Sequence, residues 1–156
     1  MDSKNYKDHF FKKAKASGYR SRSAFKLIEL NKKFKFLKNG ITVLDVGSFP
    51  GGWCQVIKNK VKDGKILGID IKEIEDISGV KFIKGDFLNE SSKLAISEYL
   101  NSNIDLILSD MASNTTGNKS LDSIRTNHLC LEILNFSKDK LSKNGVVVCK
   151  FFMGKE

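Results

Sequence analysis

The segment VLDVGSFPGGWCQ, residues 43–55, decides the fold class of this 156-residue chain. The β-branched, apolar run from Ile41 to Val46 predicts a buried strand, with Asp45 near its end. Three glycines, the single proline and the single tryptophan of the chain follow within the segment. Pro50 favours a helix that starts at about Gly51, because proline is preferred in the first helical turn. A strand, a glycine-rich turn and a helix in this order predict a ligand-binding turn in an α/β sheet.

Short apolar runs alternate with helical patterns along the rest of the chain. Strands are predicted at 66–69, 80–83, 104–108 and 146–152, and helices from Ser21 or Ser23, from Ser91 or Ser92 through Leu100, and from about Ser123 to Leu141. This alternation predicts a doubly wound, mostly parallel sheet covered by helices on both faces, which is a Rossmann-like α/β fold. Such a sheet usually carries further strands, so we expect that strands after the fifth are missing.

The net charge of +9 comes from the first quarter of the chain. Residues 1–38 carry 12 Lys and Arg against 3 Asp and Glu, whereas residues 39–156 carry 15 of each sign. Aromatic residues and a helical pattern are interleaved with these charges, which favours a phosphate-binding surface over a solvated basic tail. We therefore predict a basic, helical RNA-binding segment at 1–38, packed on a domain at 39–156 within a protein that is a single domain overall.

Composition limits the class of protein and its compartment. A hydrophobic content of 40% with 29% charged residues is typical of a soluble globular protein. No apolar run reaches the ~18 residues of a membrane span and no signal peptide is visible, so no membrane association is predicted. The three cysteines form no CxxC pair, which favours free thiols, and with only His9 and His128 available no metal site is expected. We expect a monomer in the cytoplasm, or in the mitochondrial matrix or nucleolus of a eukaryote.

The turn after the first strand indicates which ligand the sheet binds. Glycine lets a backbone approach a ligand closely, and a helix start offers unpaired N–H groups. The dinucleotide fingerprint G-x-G-x-x-G reads Gly47, Phe49 and Gly52 at its glycine positions, so its middle glycine is absent. The P-loop is also absent, because no Gly-Lys-Ser or Gly-Lys-Thr follows. S-adenosylmethionine (SAM) fits better, since its amino-acid end can meet a turn formed by Gly47, Pro50, Gly51 and Gly52.

Acidic residues at two further strand ends support a nucleoside ligand. Asp70 closes the second strand, where a carboxylate can accept hydrogen bonds from ribose hydroxyls. Asp86 closes the third strand beside Phe87, a pair suited to an adenine amino group and its ring. Each aspartate alone could instead be a helix cap or a surface residue, and Trp53 could be a core anchor or a wall of the pocket. Their common position at strand ends, together with Asp45, favours a nucleoside cofactor.

Five segments occur in a recognisable order: GYRSRSAFKL (18–27), VLDVGSFPGGWCQ (43–55), GDF (85–87), SDMASN (109–114) and VVCKFFMG (147–154). Together they resemble the FtsJ/RrmJ family of SAM-dependent ribose 2′-O-methyltransferases. The resemblance implies a methyltransferase fold and a catalytic Lys-Asp-Lys-Glu tetrad whose first three members are Lys26, Asp110 and Lys150. It also implies cofactor contacts at Gly51, Trp53, Asp70, Asp86 and Asp110. The glutamate of the tetrad lies on a later strand that this sequence does not contain, and Ser113 stands where the family usually has proline.

The reaction of the family suits the residue types at these positions. A lysine acts as a general base only in its neutral form, which burial and a second positive charge favour. Lys150, at the end of a buried strand with Lys26 nearby, is expected to meet both conditions. Asp110 is then expected to align the lysine and the hydroxyl, while Lys26 stabilises the developing negative charge. A catalytically incomplete SAM- and RNA-binding fragment and a nicotinamide-dependent oxidoreductase remain as alternatives.

The basic segment leads directly to these catalytic positions. Tyr19, Arg20 and Arg22 precede Lys26, and arginine suits bidentate phosphate binding and base stacking, so we expect them to contact the nucleic acid. RNA rather than DNA is expected, because DNA lacks the 2′-hydroxyl. The resemblance further implies that the substrate is ribosomal RNA, at a uridine of the large ribosomal subunit.

Overall fold

A parallel sheet of five strands lies at the centre of the computed structural model, which describes residues 11–111 and 117–152. The strands are β1 (Thr42–Val46), β2 (Lys65–Asp70), β3 (Lys81–Lys84), β4 (Ile104–Ser109) and β5 (Leu141–Cys149). After helical residues 11–16, the main helices are α1 (Ser23–Phe34), α2 (Gly52–Lys60), α3 (Glu90–Leu100) and α4 (Lys119–Lys140). The prediction of an α/β fold with a mostly parallel sheet is confirmed.

The strands are hydrogen-bonded in the order β3-β2-β1-β4-β5. The first strand therefore has neighbours on both sides, with Val43 paired to Ile66 of β2 and to Leu106 of β4. The strand order reverses between β1 and β4, so the chain winds outward from this point in both directions. In sheets of this kind, ligands bind outside the carboxyl ends of the strands at the point of reversal.

Helices cover both faces of the sheet, because consecutive side chains of a strand point to opposite faces. Val43 packs with Leu27 of α1 and Trp53 of α2, whereas Leu44 packs with Ile96 of α3 on the other face. Fully burying an apolar side chain of this kind contributes about 1.5–3 kcal/mol relative to leaving it exposed. The apolar runs that predicted the strands therefore also hold the helices in place. Among the described residues, no helix combines the length and apolar content that a membrane span requires.

The fourth helix begins earlier than the sequence pattern predicted. α4 starts at Lys119 rather than at about Ser123, because the Asn118 side chain accepts hydrogen bonds from the N–H groups of Ser120 and Leu121. This is the usual way in which an asparagine satisfies the free donors of a helix start. The sequence also predicts a loop at 112–120, because this run is rich in Ser, Asn, Thr and Gly, and the last three residues of that loop belong to the cap and the first turn of the helix.

The last strand also differs from its predicted bounds. β5 starts at Leu141, directly after α4, and ends at Cys149 rather than at Phe152. Its pairing with β4 shifts register between Leu141 and Val146. The sequence predicts a turn at Asn144-Gly145 before the strand, and this pair lies instead within the irregular part of β5. Three parts of the predictions lie outside the described residues: the first ten residues of the basic segment, residues 112–116 of the predicted loop and the motif end at 153–154.

Candidate active site

A cavity of about 880 Å³ opens where the central strands end. Residues predicted from the sequence line it, namely Gly47, Asp70, Asp86, Phe87 and Asp110. α4 contributes Ile124, Arg125 and His128, which sequence reasoning missed because no motif marks them. Cavities of several hundred cubic ångströms are typical of small-molecule and cofactor sites. The cavity is therefore the candidate site for a nucleoside-sized ligand.

A smaller pocket of about 60 Å³ adjoins this cavity between the glycine-rich turn and the start of α1. It is lined by Ser21, Ser23, Asp45, Gly47, Ser48, Phe49, Gly52, Trp53 and Asp110. Within residues 11–111 and 117–152, the buried hydroxyl of Ser48 has no hydrogen-bond partner. Buried polar groups are normally paired, so this hydroxyl indicates that the pocket receives a polar group of a ligand.

The backbone of the turn requires glycine at two positions. Gly47 has φ +77°, and a Cβ atom there would run into the side chain of Met111. Gly51 has φ +104°, and a Cβ atom there would lie 3.0 Å from Nη1 of Arg20. Both φ angles lie in the region that residues with a side chain rarely adopt. The turn therefore keeps its shape and its open approach to the cavity only with glycine at these positions.

Asp45 of β1 is a buried carboxyl beside the smaller pocket, with only 1% of its surface exposed. The thiol of Cys54 donates a hydrogen bond to it, with 3.2 Å between Sγ and Oδ2. Burial raises the pKa of Asp45 from 3.8 to about 7; the Cys54 hydrogen bond opposes the rise, and the charges of Asp110 and Asp70 add to it. Burial also raises the pKa of the Cys54 thiol. The sequence predicts a buried strand with Asp45 near its end, but it does not indicate the contact of this carboxyl with Cys54.

Asp70 and Asp86 lie at the cavity wall, as expected from their places at strand ends. The carboxylate of Asp70 accepts hydrogen bonds from the backbone N–H groups of Phe49, at 3.0 Å, and Lys72, at 2.9 Å. Asp86 accepts one from the N–H of Leu88 at 2.9 Å. Each carboxylate oxygen can accept more than one hydrogen bond, so both groups keep capacity for ligand hydroxyl or amino groups.

Phe87 has a different environment from its acidic neighbour. Its side chain is 3% exposed, and its ring packs edge-on against Phe136 of α4 with 5.4 Å between the centroids. The ring is therefore part of the core beneath the cavity as well as part of the lining. Trp53 likewise combines both interpretations offered for it, since it is 5% exposed and also lines the smaller pocket.

The three residues of the implied tetrad meet at the end of β4. Nζ of Lys26 lies 2.9 Å from Oδ1 of Asp110, and Nζ of Lys150 lies 3.4 Å from the same oxygen. Lys150 also donates a hydrogen bond to the backbone carbonyl of Asp110 at 3.2 Å. The side chain of Lys150 is 27% exposed and that of Lys26 is 50% exposed. Two amines of different exposure thus flank one carboxylate at the edge of the cavity.

The three residues expected to contact RNA have different surroundings. Tyr19 packs edge-on against Phe25, with 5.8 Å between the ring centroids. The guanidinium of Arg20 donates hydrogen bonds to backbone carbonyls of Pro50, Glu75 and Asp76, so the protein's own backbone occupies these donors. Arg22 is exposed, and its side chain forms no hydrogen bond or ion pair with the residues that the structure describes. The sequence could not separate the two arginines, because both belong to the same Y-R-S-R run.

Comparison with known proteins identifies the class and then the family. A model of the family described as FtsJ-like methyltransferase matches residues 19–156. Together with the sheet order and the cavity at the strand ends, this match defines the chain as a methyltransferase with a Rossmann-like fold. The chain belongs to the FtsJ-like methyltransferase family, which confirms the resemblance noted in the sequence. Membership implies the use of SAM and disfavours the nicotinamide-dependent alternative.

Relatives of known name agree with this assignment. The chain is 46% identical over 151 residues to the "Ribosomal RNA large subunit methyltransferase E" of Pelagibacter ubique. This match covers 97% of this chain and 74% of that protein. It is 44% identical over 152 residues to the protein of the same name in Novosphingobium aromaticivorans, covering 97% and 68% of the two chains.

Solved structures give the same result for the fold. A ribosomal RNA methyltransferase from Plasmodium falciparum superposes with a TM-score of 0.80 at 39% identity, over 88% of this chain and 80% of that one. The MycE methyltransferase of the mycinamycin pathway, at 18% identity and a TM-score of 0.57 over 80% and 32% of the two chains, shares the fold alone.

Proposed function

We propose that this chain transfers a methyl group from SAM to a ribose 2′-hydroxyl of RNA, at a uridine of large-subunit ribosomal RNA, with Lys150 as the general base. One observation carries the proposal: the amines of Lys26 and Lys150 approach the same oxygen of Asp110 at the edge of the cavity. The names of the bacterial relatives support ribosomal RNA of the large subunit as the substrate. The basic segment supports RNA as the binding partner, since clustered positive charge is the main source of affinity for phosphates.

The residues around the cavity suit SAM. The glycine-rich turn and the unpartnered hydroxyl of Ser48 would bind its amino-acid end, Asp70 its ribose, and Asp86 its adenine. Asp45 would meet the charged amino group through the smaller pocket, and a nearby cation would favour its ionised form. When bound, SAM supplies a methyl group on a positively charged sulfur, so the protein needs only to orient the acceptor and to remove its proton.

Lys150 and Lys26 are suited to different roles. Lys150 is the less exposed of the two and already donates one hydrogen to the carbonyl of Asp110, which leaves its nitrogen lone pair, when neutral, to accept the hydroxyl proton. Lys26 is half exposed and forms the shorter ion pair with Asp110, so we assign its ammonium group the role of stabilising the oxygen as the proton leaves. In the transfer, Nζ of neutral Lys150 would accept the hydroxyl proton as the ribose oxygen forms its bond to the methyl carbon. The methyl–sulfur bond would break at the same time, and its electron pair would go to the sulfur of the S-adenosylhomocysteine that leaves.

Arg22 extends this site toward the RNA. It directly precedes α1 and lies four residues before Lys26, a spacing that brings two residues to the same side of a helix. A phosphate held by Arg22 would therefore lie on the side of α1 from which Lys26 reaches Asp110. Its exposure, and the absence of any polar partner among the described residues, leave its five N–H donors available for this contact.

The proposal is tested by methyl transfer from labelled SAM to large ribosomal subunits. The modified nucleoside is identified by mass spectrometry, and resistance of its 3′-linkage to alkali reports methylation of the 2′-oxygen. We expect 2′-O-methyluridine from the wild-type chain. A methylated base, or binding of SAM without any transfer, would contradict the proposal, and the second result would favour the SAM- and RNA-binding module.

Two arginine variants separate the roles of the lysines, since arginine stays positively charged and cannot act as a base. Lys150→Arg should lower kcat by at least about 100-fold, the lower end of the range for loss of a general base. Lys26→Arg should retain more activity because it keeps the charge, and Lys138→Arg near the end of α4 is the control for an unrelated lysine. Full activity of Lys150→Arg would refute its role as the base.

A further inference from the structure

The segment 18–23 packs residue by residue on the glycine-rich turn and the start of α2. The amide of Gln55 donates to the carbonyl of Gly18 at 2.9 Å, and its oxygen accepts from the backbone N–H of Arg20 at 2.8 Å. A Cβ atom on Gly52 would strike the hydroxyl of Ser21. The indole N–H of Trp53 donates to the carbonyl of Ser23 at 2.8 Å. Residues 18–23 of the basic segment and the turn therefore form one packed unit.

Arg20 extends this unit to a third piece of chain. Its guanidinium donates to the carbonyl of Pro50 at 3.3 Å, and to those of Glu75 at 2.6 Å and Asp76 at 3.0 Å. Glu75 and Asp76 belong to the segment after β2, the strand that ends in Asp70. One side chain thus connects the turn after β1 with the segment after β2, which are the two walls proposed for the amino-acid end and the ribose of SAM.

The surroundings of Arg20 match a structural role better than a role in phosphate binding. Its side chain is 22% exposed, and its guanidinium packs against Gly51, where a Cβ atom would lie 3.0 Å from Nη1. Its ion pair with Glu75 is long, at 3.8 Å, and the Glu75 side chain is 91% exposed, so the hydrogen bonds to carbonyls are the stronger contacts. A phosphate would have to displace these carbonyls to use the same donors.

We infer that Arg20 is a positioning residue for the cofactor site, rather than an RNA contact like Arg22. This inference rests on the proposed binding of SAM. By holding the turn and the segment after β2 together, Arg20 keeps the site in its binding-competent arrangement. Loss of this connection lowers the fraction of competent molecules, and the apparent affinity falls by the same factor.

Arg20→Gln and Arg22→Gln form a matched pair, because each removes one positive charge from the same segment. Calorimetry measures the SAM affinity, and titration with RNA at several salt concentrations counts the phosphate contacts. We expect Arg20→Gln to weaken SAM about tenfold, which corresponds to about 1.4 kcal/mol, without changing the salt dependence of RNA binding. Arg22→Gln should leave SAM affinity unchanged and lower the slope of log K against log salt by about one.

Fluorescence of Trp53 provides a readout that needs no ligand. It is the only tryptophan of the chain, it is 5% exposed, and it is hydrogen-bonded to the segment that carries Arg20. Acrylamide should quench it more in Arg20→Gln than in the wild type or in Arg22→Gln. Glu75→Gln, which removes the long ion pair but keeps the backbone carbonyl, should behave as the wild type in both assays.

Arg20→Lys covers the case in which Arg20→Gln does not fold, as judged by circular dichroism. It keeps the charge but not the planar fork, so we expect the same weakening of SAM binding in a folded protein. If the variants at Arg20 reduced the salt slope while SAM affinity and quenching stayed as in the wild type, Arg20 would be an RNA contact and the inference would be wrong. A wild-type chain that binds no SAM would refute the proposed function instead, and the quenching result would still decide the role of Arg20.

Discussion

Asp45→Asn tests the electrostatics of the buried carboxyl at the floor of the site. Asparagine has nearly the same shape and keeps an oxygen that can accept the hydrogen bond of the Cys54 thiol, but it does not titrate. Burial raises the pKa of Asp45 from 3.8 to about 7 in the folded chain. The folded chain therefore holds a proton between about pH 4 and pH 7 that the unfolded chain has released.

The sign and size of the effect follow from this difference. Asp45 contributes most to the free energy of unfolding below about pH 4, and this contribution falls as the pH rises toward 7, where it is lost. Each pH unit in the window corresponds to about 1.4 kcal/mol. Between pH 5 and pH 8 the free energy of unfolding of the wild type should therefore fall by about 3 kcal/mol through Asp45, whereas the asparagine variant should show no such fall.

Urea unfolding of both proteins at pH 5 and pH 8 measures the effect. Comparing the two proteins at each pH cancels the titration of all groups that they share, provided that the unfolding is two-state. We expect the stability of Asp45→Asn relative to the wild type to be about 3 kcal/mol higher at pH 8 than at pH 5. Asp63→Asn, at an exposed turn, is the control for losing one negative charge. An equal difference at both pH values would refute the assignment of a raised pKa to Asp45.

Two further predictions concern the turn and its support. Gly47→Ala should weaken SAM binding at least tenfold, because its Cβ would strike Met111. Gly40→Ala is the control and should leave the affinity unchanged, since Gly40 has a similar φ of +74° with open space around it. Equal losses of affinity in the two variants would show that the backbone angle matters rather than the clash. Trp53→Phe removes the hydrogen bond to the carbonyl of Ser23 and should lower the free energy of unfolding by about 1 kcal/mol in urea titrations. An unchanged urea midpoint would contradict that role.

The fold could be predicted because its signals are local. The β-branched run at Ile41 to Val46 forms β1 with only its first residue outside the strand, and the acidic residues after the apolar runs lie at the cavity because parallel strands end on the same side. Element bounds were less predictable where a single side chain decides them. Asn118 extends α4 by one turn, and the Asn144-Gly145 pair, which is typical of a turn, lies where the pairing of β5 with β4 shifts register.

The candidate site was predictable only in part, because distant backbone decides the rest. Nothing in the Y-R-S-R run indicates that the carbonyls of Glu75 and Asp76, 55 and 56 residues away, lie within reach of Arg20. The predicted strand around Asp45 likewise does not indicate that the thiol of Cys54 donates a hydrogen bond to its carboxyl. The expectation that Lys26, Asp110 and Lys150 lie together came from the resemblance to a family, because neither composition nor spacing predicts their proximity.

The position of Lys26 illustrates how apolar packing sets the charges of this site. An ion pair with one partner half exposed contributes at most about 1 kcal/mol, too little to hold a helix against the sheet. Lys26 instead lies between Ala24 and Leu27, which are both fully buried against Trp53 and the sheet. Burial of Leu27 alone contributes about 1.5–3 kcal/mol. Apolar packing therefore places Lys26 beside Asp110, and the ion pair forms as a consequence of that position.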